Sequence, residues 1–216
     1  MRTRTALLTE LHELDGDDAT RSGRKAATLG RLARAGIAVP EGLVLSTEAL
    51  DRMLADTPAG CATTEHLLTA ELPPDVRVAV GEIAEHFGDA VLAVRSSAVA
   101  EDLPQASYAG QYETVLNVRG ADALHRAVRR CWASVDSDRL RAYGHGAAAE
   151  APALAVLVQR QVDADVAGVA FTRDPVSGAT DRVLVSAAPG LGDAVVGGTV
   201  DPDEWVVTGQ SAVAAR

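Results

Sequence analysis

Val91 to Asn117 reads VLAVRSSAVAEDLPQASYAGQYETVLN. The apolar run Val91 to Val94 predicts a strand that delivers Arg95 to its end and then turns through Ser96 and Ser97. The loop that follows carries small residues, Ala106, Ser107, Ala109 and Gly110, which let backbone come close to a ligand. A second strand, Tyr112 to Val118, closes the segment and holds Thr114. These residue types suit a polyphosphate better than a packed core, so a nucleotide site is the first expectation. An ordinary hairpin with a buried arginine is the competing reading.

The basic residues sharpen this. Of 20 lysines and arginines, Lys25 is the only lysine, so the rest of the chain has used arginine wherever either side chain serves. Lysine retained in such a background points to a need for a compact ammonium. Lys25 opens a predicted helix that runs to Gly36, with Ala26, Leu29, Leu32 and Ala33 along one apolar face. A helix N-terminus with unpaired N–H groups and a lysine attracts anions. A solvated lysine on a first turn is the alternative.

Composition bounds the rest. A formal net charge of −10 disfavours a nucleic-acid partner, so any cations that bind a ligand must act locally. Cys61 and Cys131 are too few and too far apart for a disulfide scaffold or a zinc site. Cys131 falls on the apolar helix face Leu124, Val128, Cys131, Val135 and reads as a reduced core thiol. No apolar run is long enough to span a membrane and no leader is evident, so a cytoplasmic protein is expected. The acidic groups Glu101-Asp102, Asp163 with Asp165, and Asp201-Pro202-Asp203-Glu204 read as solvated loop carboxylates rather than magnesium ligands. No Gly-x-Ser-x-Gly elbow supports a serine hydrolase.

Two lobes are expected: residues 1–150, with the phosphate loop, and residues 151–216. In the first, helices 25–35, 47–55, 75–87 and 121–143 alternate with strands at 42–46 and around the loop; Gly144 to Pro152 reads as the linker. Strands at 153–162, 166–172, 182–187 and 204–208 follow, with turns at Asp174 to Gly178 and Asp201 to Asp203.

Four blocks, in this order, resemble the N-terminal nucleotide-binding module of the phosphoenolpyruvate synthase, pyruvate phosphate dikinase and rifampicin phosphotransferase family. They are GRKAATLGRLARAGIAVPEGLVLST (Gly23 to Thr47), AVRSSAVAEDLPQASYAGQYETVLNV (Ala93 to Val118), VLVQRQVDADVAGVAFTRDPVSG (Val156 to Gly178) and APGLGDAVVGGTVDPDEWVV (Ala188 to Val207). The resemblance implies an α+β (α/β) ATP-grasp fold of two lobes, the second truncated, holding ATP with Mg2+. It implies that Lys25 and Arg95 contact the phosphates, that Gly110 and Thr114 belong to the covering loop, and that Gln159 lies near the adenine. From the residues alone, Gln159 reads equally well as a strand-end glutamine bonded to backbone. Arg24 and Ala26 flank the lysine where the family favours glycine, and Asp193 follows Gly-Leu-Gly where it favours glutamate.

The family's later Ile-Glu-Trp-like and Gln-Ser-Arg-Pro-like motifs are missing, and none of His12, His66, His86, His125 and His145 has the expected glycine-rich context. The resemblance therefore implies an ATP-binding part of a phosphotransferase. A partner polypeptide carrying the histidine and acceptor domains would complete it and choose the acceptor; a homodimer is the other expected assembly, covering the sheet edge that the missing strands would leave unpaired. A non-catalytic nucleotide-binding or regulatory remnant is the alternative.

Overall fold

The computed structural model describes residues 5–55, 57, 61–99, 113–135, 153–209 and 211–215. By contacts the chain divides into two units, Met1–Gln161 and Val162–Arg216.

The first unit is built on a five-stranded sheet in the order β1-β2-β5-β3-β4. Its strands are β1 (Leu8–Glu10), β2 (Gly42–Leu45), β3 (Leu92–Ala98), β4 (Thr114–Val118) and β5 (Leu154–Arg160). Every pairing in it is antiparallel. The architecture is thus mixed α and β of the α+β kind; among the described residues there is no parallel sheet of the sort an α/β protein has.

The helices are α1 (Ala19–Arg34), α2 (Thr47–Ala55), α3 (Thr64–Thr69), α4 (Pro74–Phe87) and α5 (Gly120–Ala133). On one face of the sheet, Leu43, Leu45, Val94, Val156 and Val158 pack with Leu50 of α2, Ile83 of α4 and Trp132 of α5. On the other face, Val44, Ala155 and Leu157 pack with Ala26 of α1 and with Leu11 and Leu14 of the short turns before it. Strand β5 is central and covered on both sides, which explains its unbroken apolar run from Leu154 to Val158. That position also moves the division between units. It falls after Gln161, not at residue 150, because the strand expected to begin the second lobe is the middle of the first sheet.

Helix α1 starts at Ala19, earlier than the expected Lys25, but Gly23 interrupts it with φ +73° and ψ +161°, so a new helical segment begins beside Lys25. Its buried residues are the small ones, Ser22, Gly23, Ala26, Ala27 and Gly30, whereas Leu29 and Leu32 are only half-buried. The helix sits too close to the preceding turns for larger side chains: a β-carbon on Gly30 would lie 2.6 Å from the Leu11 carbonyl oxygen and 2.8 Å from Leu14 Cβ. Helix α3 was not among the expected elements; Thr63 caps it by accepting the His66 N–H at 3.1 Å. The C-terminal part of the expected helix 121–143 lies outside the described residues.

The second unit is a four-stranded antiparallel sheet in the order β6-β7-β8-β9. Its strands are β6 (Val166–Phe171), β7 (Val183–Pro189), β8 (Asp203–Thr208) and β9 (Ser211–Ala215), with the one-turn helix α6 (Asp193–Val196) between β7 and β8. Asp203, expected in a turn, therefore begins a strand, and Glu204 lies within it as the expected strand 204–208 requires. The Asp174 to Gly178 turn forms as expected: the Asp174 carboxylate accepts the Val176 N–H at 2.8 Å, and Gly178 takes φ +75°. The Ser177 hydroxyl bonded to Asp174 holds its carboxyl below the ordinary range. Among the described residues, no helix is long and apolar enough to cross a membrane.

The two cysteines differ sharply. Cys61 is exposed and Cys131 is buried. Burial, reinforced by the Glu113 carboxylate, pushes the Cys131 thiol up to about 12. A thiol-directed reagent at about pH 8 is expected to modify Cys61 alone in the native protein and both cysteines in denaturant, read by intact mass. Native double labelling would show that the α5 core opens readily.

Candidate nucleotide site

The site is assembled on the α1 face of the first sheet. Side chains alternate along β3, so Ala93, Arg95 and Ser97 point to the face opposite Val94. Arg95 pairs with Thr114 of β4 and with Leu157 of β5, and Ala93 pairs with Gln159. Paired residues of antiparallel strands share a face. Arg95, Thr114 and Gln159 thus stand on the side that α1 covers, with Gln159 two positions along β5 from Leu157. Arg95 is half-buried and Thr114 exposed. Gly110 lies outside the described residues.

Ser96 and Ser97 are not the turn the sequence suggested; β3 continues through them to Ala98, paired with β5. A strand can bury two serines because each hydroxyl is satisfied. Ser96 Oγ donates to the Glu113 carbonyl at 2.8 Å, and Ser97 Oγ accepts the Ala26 N–H at 3.1 Å.

The second of these bonds joins β3 to α1. Lys25 is half-buried, and its Nζ donates to the Ser96 carbonyl at 2.8 Å. Gly23 lies against the Ser97 carbonyl so closely that a β-carbon there would overlap it. Lys25 and Arg95, far apart in sequence, are therefore carried by two segments locked to each other. Two cations thus stand on one sheet face, one of them at a restarted helix.

Gln159 has a structural role. It is 4% exposed, and its Nε2 donates to the Pro40 carbonyl at 3.1 Å. Gly42 beside it leaves the necessary room: a β-carbon there would lie 3.0 Å from Gln159 Cγ. The same stretch is held by Arg160, whose N–H donates to the Glu41 carbonyl at 2.9 Å. The Glu41 carboxylate meets His86 Nε2 at 2.8 Å and Arg160 at 3.3 Å. The His86 bond, followed by that of Arg160, holds the Glu41 carboxyl below the usual range.

Sequence reasoning missed Gly23 and Ser97. The signal for the first was a glycine two positions before the lone lysine; for the second there was none, since a capping hydroxyl supplied from a distant strand leaves no local pattern. It also missed Asn117, which takes φ +58° inside β4 and is clasped by Gln161 through bonds of 2.7 and 2.9 Å.

Among the described residues, no three of His, Cys, Asp or Glu come together in a way that could hold a metal ion. Magnesium is commonly held by one or two carboxylates together with substrate phosphates, and the described residues supply no dedicated cage for it.

Comparison with known proteins agrees with the blocks. The family model described as pyruvate phosphate dikinase, AMP/ATP-binding domain, matches residues 20–216. The chain is 39% identical to a probable phosphoenolpyruvate synthase of Methanothermobacter thermautotrophicus, covering 91% of this chain and 33% of that protein. It is 38% identical to the prodigiosin synthesizing transferase PigC of Serratia marcescens, over 90% of this chain and 23% of that one. It is 37% identical to a rifampicin phosphotransferase of a Streptomyces species, over 93% and 26%. The chain thus spans a third or less of the length of these relatives. With a family model covering nearly all of it, the chain belongs to the pyruvate phosphate dikinase AMP/ATP-binding domain family.

Proposed function

We propose that the chain binds ATP through Lys25 and Arg95 and serves as the nucleotide-binding part of a dikinase-like phosphotransferase. The observation that carries this is the locking of the Lys25 segment onto the Arg95 strand, which brings the two cations to one face. In this reading the fold is an ATP-grasp fold. The unit ending at Gln161 is its first lobe, and the unit from Val162 is part of its second. Lys25 and Arg95 neutralise charge on the phosphates as a phosphoryl group leaves, Gly110 belongs to the loop that covers them, and Thr114, expected in that loop, stands instead beside Arg95 as the first residue of β4. Gln159 acts near the adenine by holding the Pro40 carbonyl in place. Magnesium takes its place on the phosphates. The acceptor chemistry belongs to parts of the phosphotransferase other than this nucleotide-binding module.

Calorimetry on the full chain tests the binding step. ATP is expected to bind more tightly than AMP, and Arg95→Ala to weaken ATP by about 1.5–3 kcal/mol through loss of a charge-assisted contact. Unchanged affinity in a folded Arg95→Ala variant would move the site elsewhere. The lone lysine gives an independent check: ATP should protect Lys25 from an amine-acylating reagent, and AMP should protect it much less. Equal labelling with and without saturating ATP would remove Lys25 from the site.

A further inference from the structure

We propose that Ser97 is a positioning residue for phosphate binding, setting where the Lys25 ammonium sits relative to Arg95; this rests on the ATP-site reading above. Gly23 breaks α1, so the segment that restarts there has N–H groups without intrahelical partners. A helix N-terminus is ordinarily capped by a side chain just before it in sequence. Here the acceptor comes from across the fold: Ser97 Oγ receives the Ala26 N–H, directly after Lys25, at 3.1 Å. Ser97 is fully buried, which leaves its hydroxyl no solvent to exchange with. The peptide that carries it does more. The Ser96 carbonyl receives Lys25 Nζ at 2.8 Å, and the Ser97 carbonyl lies against Gly23. Three consecutive residues of β3 thus hold one cation directly, as Arg95, and index the other through a carbonyl and a hydroxyl. A serine serving only the core would need one partner of any kind. This one bonds the amide next to the lysine, in the first turn of the restarted segment.

The two roles separate by ligand. Loss of a merely structural bond lowers stability and weakens ATP and AMP binding in proportion. Loss of a positioning bond weakens the ligand that carries the β and γ phosphates selectively. Calorimetry of ATP and AMP is run on the wild-type chain, on Ser97→Ala, and on Ser97→Cys, which keeps much of the volume with a weaker acceptor. The ratio of ATP to AMP affinity is expected to fall about five- to tenfold in Ser97→Ala and less in Ser97→Cys. An unchanged ratio in a folded variant overturns the inference while leaving the ATP site standing. If neither variant folds, amide exchange at Ala26 in the wild-type chain decides: slowing by ATP but not AMP supports the role, and equal exchange overturns it. A wild-type chain that does not prefer ATP to AMP removes the site itself, and this inference with it.

Discussion

Replacing Gly23 with alanine is expected to lower the unfolding free energy by about 3–5 kcal/mol, through strained backbone and overpacking together. At φ +73° and ψ +161°, Gly23 occupies a region that residues with a β-carbon rarely enter. The added methyl would also overlap the Ser97 carbonyl, which cannot yield because β3 is bonded there to β5. Either α1 slides away from β3 or the strand deforms; both separate Lys25 from Ser96. Denaturant unfolding measures the first effect and ATP calorimetry the second. A loss below about 1 kcal/mol would show that the break in α1 is not under the constraint described. Ser22→Ala is a useful contrast. Its hydroxyl donates to the Asp18 carbonyl at 2.8 Å within the same turn, so its loss should cost only about 1 kcal/mol.

Leu157→Ala is expected to destabilise the protein by about 3–5 kcal/mol, near the upper part of the range for buried leucines. The site cannot collapse to fill the void. Leu157 is fully buried at the centre of the sheet, flanked by Val44 of β2 and Arg95 of β3, with the small residues of α1 above it. Neighbours fixed by strand pairing on both sides and by a helix already in close contact have little freedom to move inward. The same substitution leaves Arg95 without the apolar surface beside it, so ATP affinity should fall together with stability. A loss under about 1.5 kcal/mol would mean that α1 settles onto the sheet more easily than its tight contacts with the preceding turns allow.

The pattern of elements was largely legible before the structure. Helix α4 begins at Pro74 and ends at Gly88, where φ is +55°, and α5 buries the expected Leu124, Val128 and Cys131. Those features are local: a proline that pre-sets the first turn, a glycine that accepts a left-handed residue, and a spacing that puts apolar side chains on one helix face. The candidate cations were legible too, Lys25 from its isolation among arginines and Arg95 from the apolar strand before it.

What the sequence by itself determined, then, is most of the longer helices and strands, which residues carry charge, and the family to which the ordered blocks belong. Tertiary structure alone decided the rest. It made β5 the middle of the first sheet, since an apolar run does not reveal which strands flank it. It turned two serines that read as a turn into buried strand residues, because their partners, the Glu113 carbonyl and the Ala26 amide, come from other elements. It gave Gln159 the Pro40 carbonyl to hold. Each of these rests on hydrogen bonds between residues distant in the chain. Such bonds are absent from local periodicity because either partner is, in its own segment, an ordinary polar group that any other acceptor or donor could satisfy.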